Sequence, residues 1–208
     1  MSASRGSFTR VYVWRGMRRR KDAAFQALVD RVYAPVAGKT EPEQLGVAPG
    51  QPGRQQLLPG ARLNALAGLL EQISSEGGRA DLYRLAADLG MDPDDVLPIF
   101  EAGEILGFLT VQEGDLVLTE LGKGYAEASI PTRRELVAGR ILRVPVIAWI
   151  YETLQRDDDG RVTKEFFLDA LRGDFADLAE EQLQNAIRWG RHADLFGFDD
   201  DADELVLA

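Results

Sequence analysis

The stretch Leu106 to Thr119, LGFLTVQEGDLVLT, consists of two short apolar runs joined by a polar turn of Glu113, Gly114 and Asp115, the pattern of a β-hairpin. About ninety residues later the chain repeats it as Phe196 to Leu207, FGFDDDADELVL. Gly-Phe recurs at 107/108 and 197/198, and Leu-Val-Leu at 116–118 and 205–207. An echoed hairpin constrains the fold more than any composition figure, because it asks for the same unit twice in one chain.

What precedes each hairpin supports that expectation. Arg62 to Ser74 carries Leu63, Leu66, Leu69, Leu70 and Ile73 at helical spacing and stops at Gly77-Gly78. A second helix is expected from Ala80 to Leu89, closed by Gly90. A third runs from the Asp92 N-cap and Pro93 to about Glu104. Leu121 to Ala128 follows the hairpin as a fourth helix. Downstream, Pro131 to Leu154 predicts one long helix bent by Pro145, Val162 to Leu171 a second, and Leu178 or Ala179 to Ala193 a third before the second hairpin. Gly78-Arg79 has a counterpart in Gly160-Arg161. Three helices followed by a two-stranded hairpin is the order of a winged helix-turn-helix. The expected fold class is therefore mainly α with short β-hairpins, α+β, in two tandem winged units at 61–129 and 130–208.

The N-terminal third reads differently. Residues 1–21 suggest a flexible basic arm, and 22–37 an amphipathic helix with Phe25, Leu28, Val29 and Val32 on one face. Residues 38–60, with four Pro and four Gly between 42 and 60, suggest a linker. Residues 1–40 hold nine Lys or Arg against Asp22 and Asp30, a balance of +7, and the remainder carries 15 bases against 32 acids, or −17. An acidic body of that size repels phosphate backbones. Without cysteine, disulfides, thiolate metal sites and a cysteine nucleophile are excluded. The longest apolar run, near Val144 to Ile150, is too short to span a bilayer, so a cytoplasmic location without membrane insertion is expected.

The chemistry-bearing motifs are weak. Gly38-Lys39-Thr40 looks like the tail of a phosphate loop, but the glycine required five residues earlier is Tyr33. Asp157-Asp158-Asp159-Gly160 looks like a calcium loop, yet with Gly160 sixth the twelfth position is Phe166, where a bidentate Glu is needed. His192 is the one histidine and has no nucleophile partner at a recognisable spacing. No catalytic residue, metal or cofactor is expected. Trp149, Phe166, Phe167, Trp189, Phe196 and Phe198 fall at core-like spacings and are expected to build the second unit's core.

A winged helix first suggests DNA. Its contacts would be Arg18, Arg19, Arg20 and Lys21 of the arm with Arg188 and Arg191 of the last helix. The corresponding helix of the first unit has Asp92, Asp94, Asp95, Glu101 and Glu104 and no Lys or Arg, and both hairpin tips are acidic. Nucleic acid is therefore not the expected partner. The isolated stripe of Phe25, Leu28, Val29, Val32 and Tyr33 is the expected protein interface, because an apolar face must be covered by the chain's own body or a partner.

From about Ala23 onward the chain resembles the AAA-associated C-terminal domain that follows the ATPase in nitrate/sulfonate/taurine-type ABC transporter ATP-binding proteins. The resemblance is carried by Phe25-Gln-Ala-Leu-Val-Asp-Arg-Val-Tyr33, Gly78-Arg-Ala-Asp-Leu-Tyr83, Leu106-Gly-Phe108, Trp189-Gly-Arg191 and Asp194-Leu-Phe196. Walker A, Leu-Ser-Gly-Gly and Walker B stretches are absent, so ATP hydrolysis is not carried over. The resemblance implies an accessory module, encoded separately or cut from a longer product, that associates with an ABC-type importer ATPase or with itself. It would then sit at the inner membrane only through a transporter.

Overall fold

The computed structural model describes residues 49–208 apart from 54, 55, 89, 91 and 92. The basic arm, the stretch 22–37, most of the linker and Asp92 lie outside the described residues.

Helix α1 (Leu63–Ser75) buries Leu63, Leu66, Leu69, Leu70 and Ile73, the stripe its spacing predicts. It ends where Gly77 and Gly78 adopt φ of 87° and 89°, with the Gly78 N–H returned to the Ile73 carbonyl at 2.8 Å. Strand β1 (Arg79–Asp81) follows at once, and the Asp81 carboxylate accepts the Arg84 N–H at 2.8 Å to start α2 (Leu82–Asp88). Helix α3 (Pro93–Leu106) leads into β2 (Leu109–Gln112) and β3 (Asp115–Leu118). Their two-residue turn has φ of 55° at Glu113 and 91° at Gly114, the primed geometry that suits a twisted hairpin. Helix α4 (Glu120–Glu127) is capped by Thr119, whose hydroxyl accepts the Gly122 N–H at 3.0 Å.

The long helix expected over 131–154 is two helices, α5 (Ile130–Ile141) and α6 (Pro145–Arg156). Pro145 does not bend a helix; it begins one. It lacks an N–H to donate, and Val144 before it is extended at φ −76°, ψ 117°. Strand β4 (Arg161–Thr163), α7 (Lys164–Phe175), a 3₁₀ turn (Ala176–Leu178), α8 (Ala179–His192), β5 (Phe196–Asp199) and β6 (Glu204–Leu207) complete the chain. No described helix is long and apolar enough to cross a membrane.

The architecture is thus mixed α and β, mostly helical, with two three-stranded antiparallel sheets ordered β1-β3-β2 and β4-β6-β5. Residues 80–81 and 162–163, expected at helix starts, instead form the third strands. Left-handed Gly78 and Gly160 turn the chain back toward the hairpins, and their carbonyls accept from Leu118 and Leu207, each at 2.9 Å.

The two sheets share one register. Arg79 lies opposite Val117 and Arg161 opposite Val206, while Leu109 faces Leu118 and Phe196 faces Leu207. Leu-Val-Leu therefore occupies the same place in both sheets. The Gly-Phe pairs do not: Gly107 corresponds to Asp194, and both take left-handed φ at the helix end, 77° and 52°. A better internal echo is Gly103 and Gly190. A Cβ on Gly103 would come 2.8 Å from Leu109, and one on Gly190 2.6 Å from Phe196, so each glycine lets the first residue of a hairpin lie against its helix.

One continuous core runs from Leu58 to Leu205 and includes both sheets. Helix α5 ties the halves together, because buried Arg140 donates to the Leu106 carbonyl at 2.6 Å and the Gly50 carbonyl at 2.9 Å. That places a cation at the negative end of α3. The described end of the Pro/Gly-rich stretch is packed as well. Gly50, Leu58 and Pro59 are buried, and the side chains of Gln182 and Asn185 hold the Leu58 backbone.

Candidate interaction surfaces

Helices α3 and α8 each present an outer side beside a hairpin. On α3 the exposed residues include Asp95, Leu97 and Glu101, and no Lys or Arg is present. Its Glu104 carboxylate accepts the Val111 N–H at 3.0 Å, covering part of the open edge of β2. On α8 the equivalent residue is Arg191, which donates to the Phe198 carbonyl at 2.7 Å on the matching position of β5. An anion and a cation perform the same structural task, one reading an N–H and the other a C=O.

Arg188 and Arg191, the two described residues offered for nucleic-acid contact, are both exposed on α8. Both are also engaged within the fold, since Arg188 donates to the Asn185 side chain. Arg18, Arg19, Arg20 and Lys21, and the interface residues Phe25, Leu28, Val29, Val32 and Tyr33, lie outside the described residues, so neither group is placed against α8.

The inner flank of α8 was not legible as a site. Leu58 donates its N–H to Gln182 Oε1 at 2.6 Å, and its carbonyl accepts from Asn185 Nδ2 at 2.7 Å and Gln182 Nε2 at 3.3 Å. Both amides are almost fully buried, so this flank is occupied by the chain itself. The available signal was a pair of amides three residues apart among Ala179, Leu183 and Ala186 on a strongly one-sided helix.

The acidic hairpin tip of the second sheet is organised by Arg161, which bonds Glu204 at 2.8 Å and also Asp199. That guanidinium holds the Asp199 carboxyl below the usual carboxylate range, helped by the Ala202 and Asp201 N–H groups. In the first sheet Arg79 pairs with Asp115, the register counterpart of Glu204. The suspected calcium loop serves its own backbone. Asp157 Oδ1 accepts from the N–H groups of Asp159 at 3.0 Å and Arg161 at 3.2 Å. Among the described residues no His, Asp and Glu cluster could hold a metal ion.

Matched against known families, residues 83–199 fit the C-terminal AAA-associated domain, more than half of the chain. This chain belongs to that family. No curated protein and no solved structure matches it. The matched AAA-associated region starts in α2 and ends in β5, so it leaves out α1 and the strands β1 and β6 that complete the two sheets. Within it, Trp189-Gly190-Arg191 is architectural. Trp189 is buried, Gly190 admits Phe196, and Arg191 binds the strand backbone.

The AAA-associated domain also exposes single apolar side chains, including Tyr83, Ile130 and Phe166. Phe167, Trp189 and Phe196 are core residues as expected, whereas Phe166 is not: it is 51% exposed. It stacks on half-buried Trp149 with centroids 6.4 Å apart and planes at 21°, and Phe167 meets both rings edge-on at 5.4 Å. His192 is half-buried at the end of α8. Burial pushes its imidazole below the ordinary range, with nearby Arg134 acting the same way and Asp194 opposing. A shallow depression where α7 turns into α8 is lined by Leu168, Arg172, Asp177 and Glu180. Arg172 there already pairs with Glu165 and Asp169, and Glu180 with Lys164.

Proposed function

We propose that this chain is a non-catalytic accessory module of two tandem winged helix-turn-helix units. It works through protein–protein contacts with an ABC-type importer ATPase or with a second copy. Family membership carries the reading, because a C-terminal AAA-associated domain suggests an accessory module linked to ATPases. The chemistry of the surface supports it. Helix α3 offers no base, and the arginines of α8 serve the fold. The apolar residues 25 to 33 supply a contact element that needs a cover.

The test mixes the full chain with the nucleotide-binding subunit of a nitrate/sulfonate/taurine-type importer, and follows co-elution and ATP turnover. Co-elution with an altered turnover rate is expected. Sedimentation as a lone monomer, with neither co-elution nor a rate change at about 100 µM, a level that would detect association worth about −5.5 kcal/mol, overturns the proposal. The alternative is a winged-helix transcription regulator that uses Arg18 to Lys21 with Arg188 and Arg191. It requires duplex-DNA binding that weakens steeply with salt and with R188E/R191E. The absence of any mobility shift at low salt dismisses it.

A further inference from the structure

The two halves of the molecule act as controls for each other, because one fold is written twice with different surfaces. Aligned on their buried stripes, Leu63, Leu66, Leu69 and Ile73 of α1 correspond to Val144, Ile147, Ile150 and Leu154, one residue out of step with the strand register of Arg79 and Arg161, and all eight are buried. On the stripe alignment Gly68 matches Trp149, and on the strand register Arg84 matches Phe166. The first half leaves open space at Gly68 and fills the second position with Arg84, ion-paired to Glu76 and Asp88. The fold therefore does not need an aromatic pair here, yet the second half keeps one half in water.

Two observations select what covers it. The first is charge. Residues 145–208 carry six Lys or Arg against sixteen Asp or Glu. Glu165 and Asp169 flank Phe166 on α7, and Glu152 lies one turn beyond Trp149 on α6. Among the described residues these three acids form surface ion pairs with Arg172 and Arg156 that exchange at small cost. The second is chain length. Residues 1–48 lead into Gly50, which is anchored through its N–H to Glu104 at 2.7 Å. Fifteen residues, the length of 34–48, can span at most about 50 Å, more than the roughly 40 Å diameter of a body this size. The segment before them combines Arg18, Arg19, Arg20, Lys21 and Arg31 with the stripe Phe25, Leu28, Val29 and Val32.

We infer that this basic, apolar-striped segment of the chain docks in cis on the Trp149–Phe166 face of its own body. The apolar side chains cover the rings while the Arg and Lys side chains meet the acids of α6 and α7. The inference stands whether or not an ATPase is the eventual partner, for which this face would keep the segment covered.

The full chain offers a direct readout, because tryptophan occurs only at 14, 149 and 189, and Trp189 is 1% exposed. In a W14F background, acrylamide quenching reports Trp149. Quenching is expected to rise at least about twofold on L28D/V32D, and amide exchange of residues 22–33 to quicken by a similar factor or more on F166S. Raising the salt concentration should shift quenching in the same direction. L28D/V32D leaves the described core untouched, and an unchanged circular dichroism melt verifies this. Quenching that is identical before and after L28D/V32D overturns the inference. So does protection that appears only at concentrations where sedimentation shows a dimer, which would assign the face to the segment of a second copy.

Discussion

Gly190 and Gly173 are both helical glycines, and what surrounds them gives opposite expectations. A Cβ at 190 would strike the Phe196 ring at 2.6 Å, whereas at 173 nothing lies within 4 Å. Gly190→Ala should cost about 1–3 kcal/mol through overpacking. Gly173→Ala should add about 0.5–1 kcal/mol by restricting the unfolded chain. Urea melts of the two variants check the contrast in sign. His192 gives a pH prediction at the same scale. Its folded value lies below its unfolded value of about 6.5. On acidification the unfolded chain therefore takes up the proton first. Stability tied to neutral His192 is intact above that pH and declines as the pH falls below it. His192→Gln should flatten the stability profile below about pH 6.5, measured by denaturant midpoints. As the chain has a single histidine, no other imidazole confuses the result. The exposure of Phe166 was hidden at this scale, because its spacing suits a core and only the packing of α6 against α7 leaves it outside.

At the scale of elements, long stripes were legible and short pieces were not. Helices α1 and α8 follow their apolar period, and both hairpins form where alternating residues flank a polar turn. Strands β1 and β4 are three residues each, too short to display a period of two, and pairing with distant strands defines them. Pro145 was ambiguous for a related reason. Proline inside an apolar run bends a helix or starts one, and the extended Val144 decides. The first hairpin turn carries strain that the sequence can relieve. Glu113 sits at φ 55°, where a residue other than Gly, Asn or Asp is disfavoured. Glu113→Asn, giving Asn-Gly, should raise stability by about 0.5–1 kcal/mol, with a higher melting temperature and an unchanged circular dichroism spectrum.

Across the whole molecule, one core and a buried strap join two copies of a topology. Because the core is continuous from Leu58 to Leu205, both halves should unfold in one transition when followed at either sheet. Gln182→Ala with Asn185→Ala leaves the Leu58 N–H and C=O buried and unpaired, at about 1–3 kcal/mol for each group. This should lower the melting temperature by several degrees. Two separated transitions in the unaltered chain would show that the strap and α5 do not couple the halves. The sequence by itself determined the repetition, the helical stripes, the acidic body and the family, because periodicity, charge and motif are local properties. The tertiary structure alone decided that Gly103 and Gly190 are the true counterparts, and that the Pro/Gly-rich stretch ends as a strap on α8. It also decided that the α8 arginines are held within the fold and that one aromatic pair faces water. Each depends on which distant backbone a side chain meets, and no spacing along the chain encodes that distance.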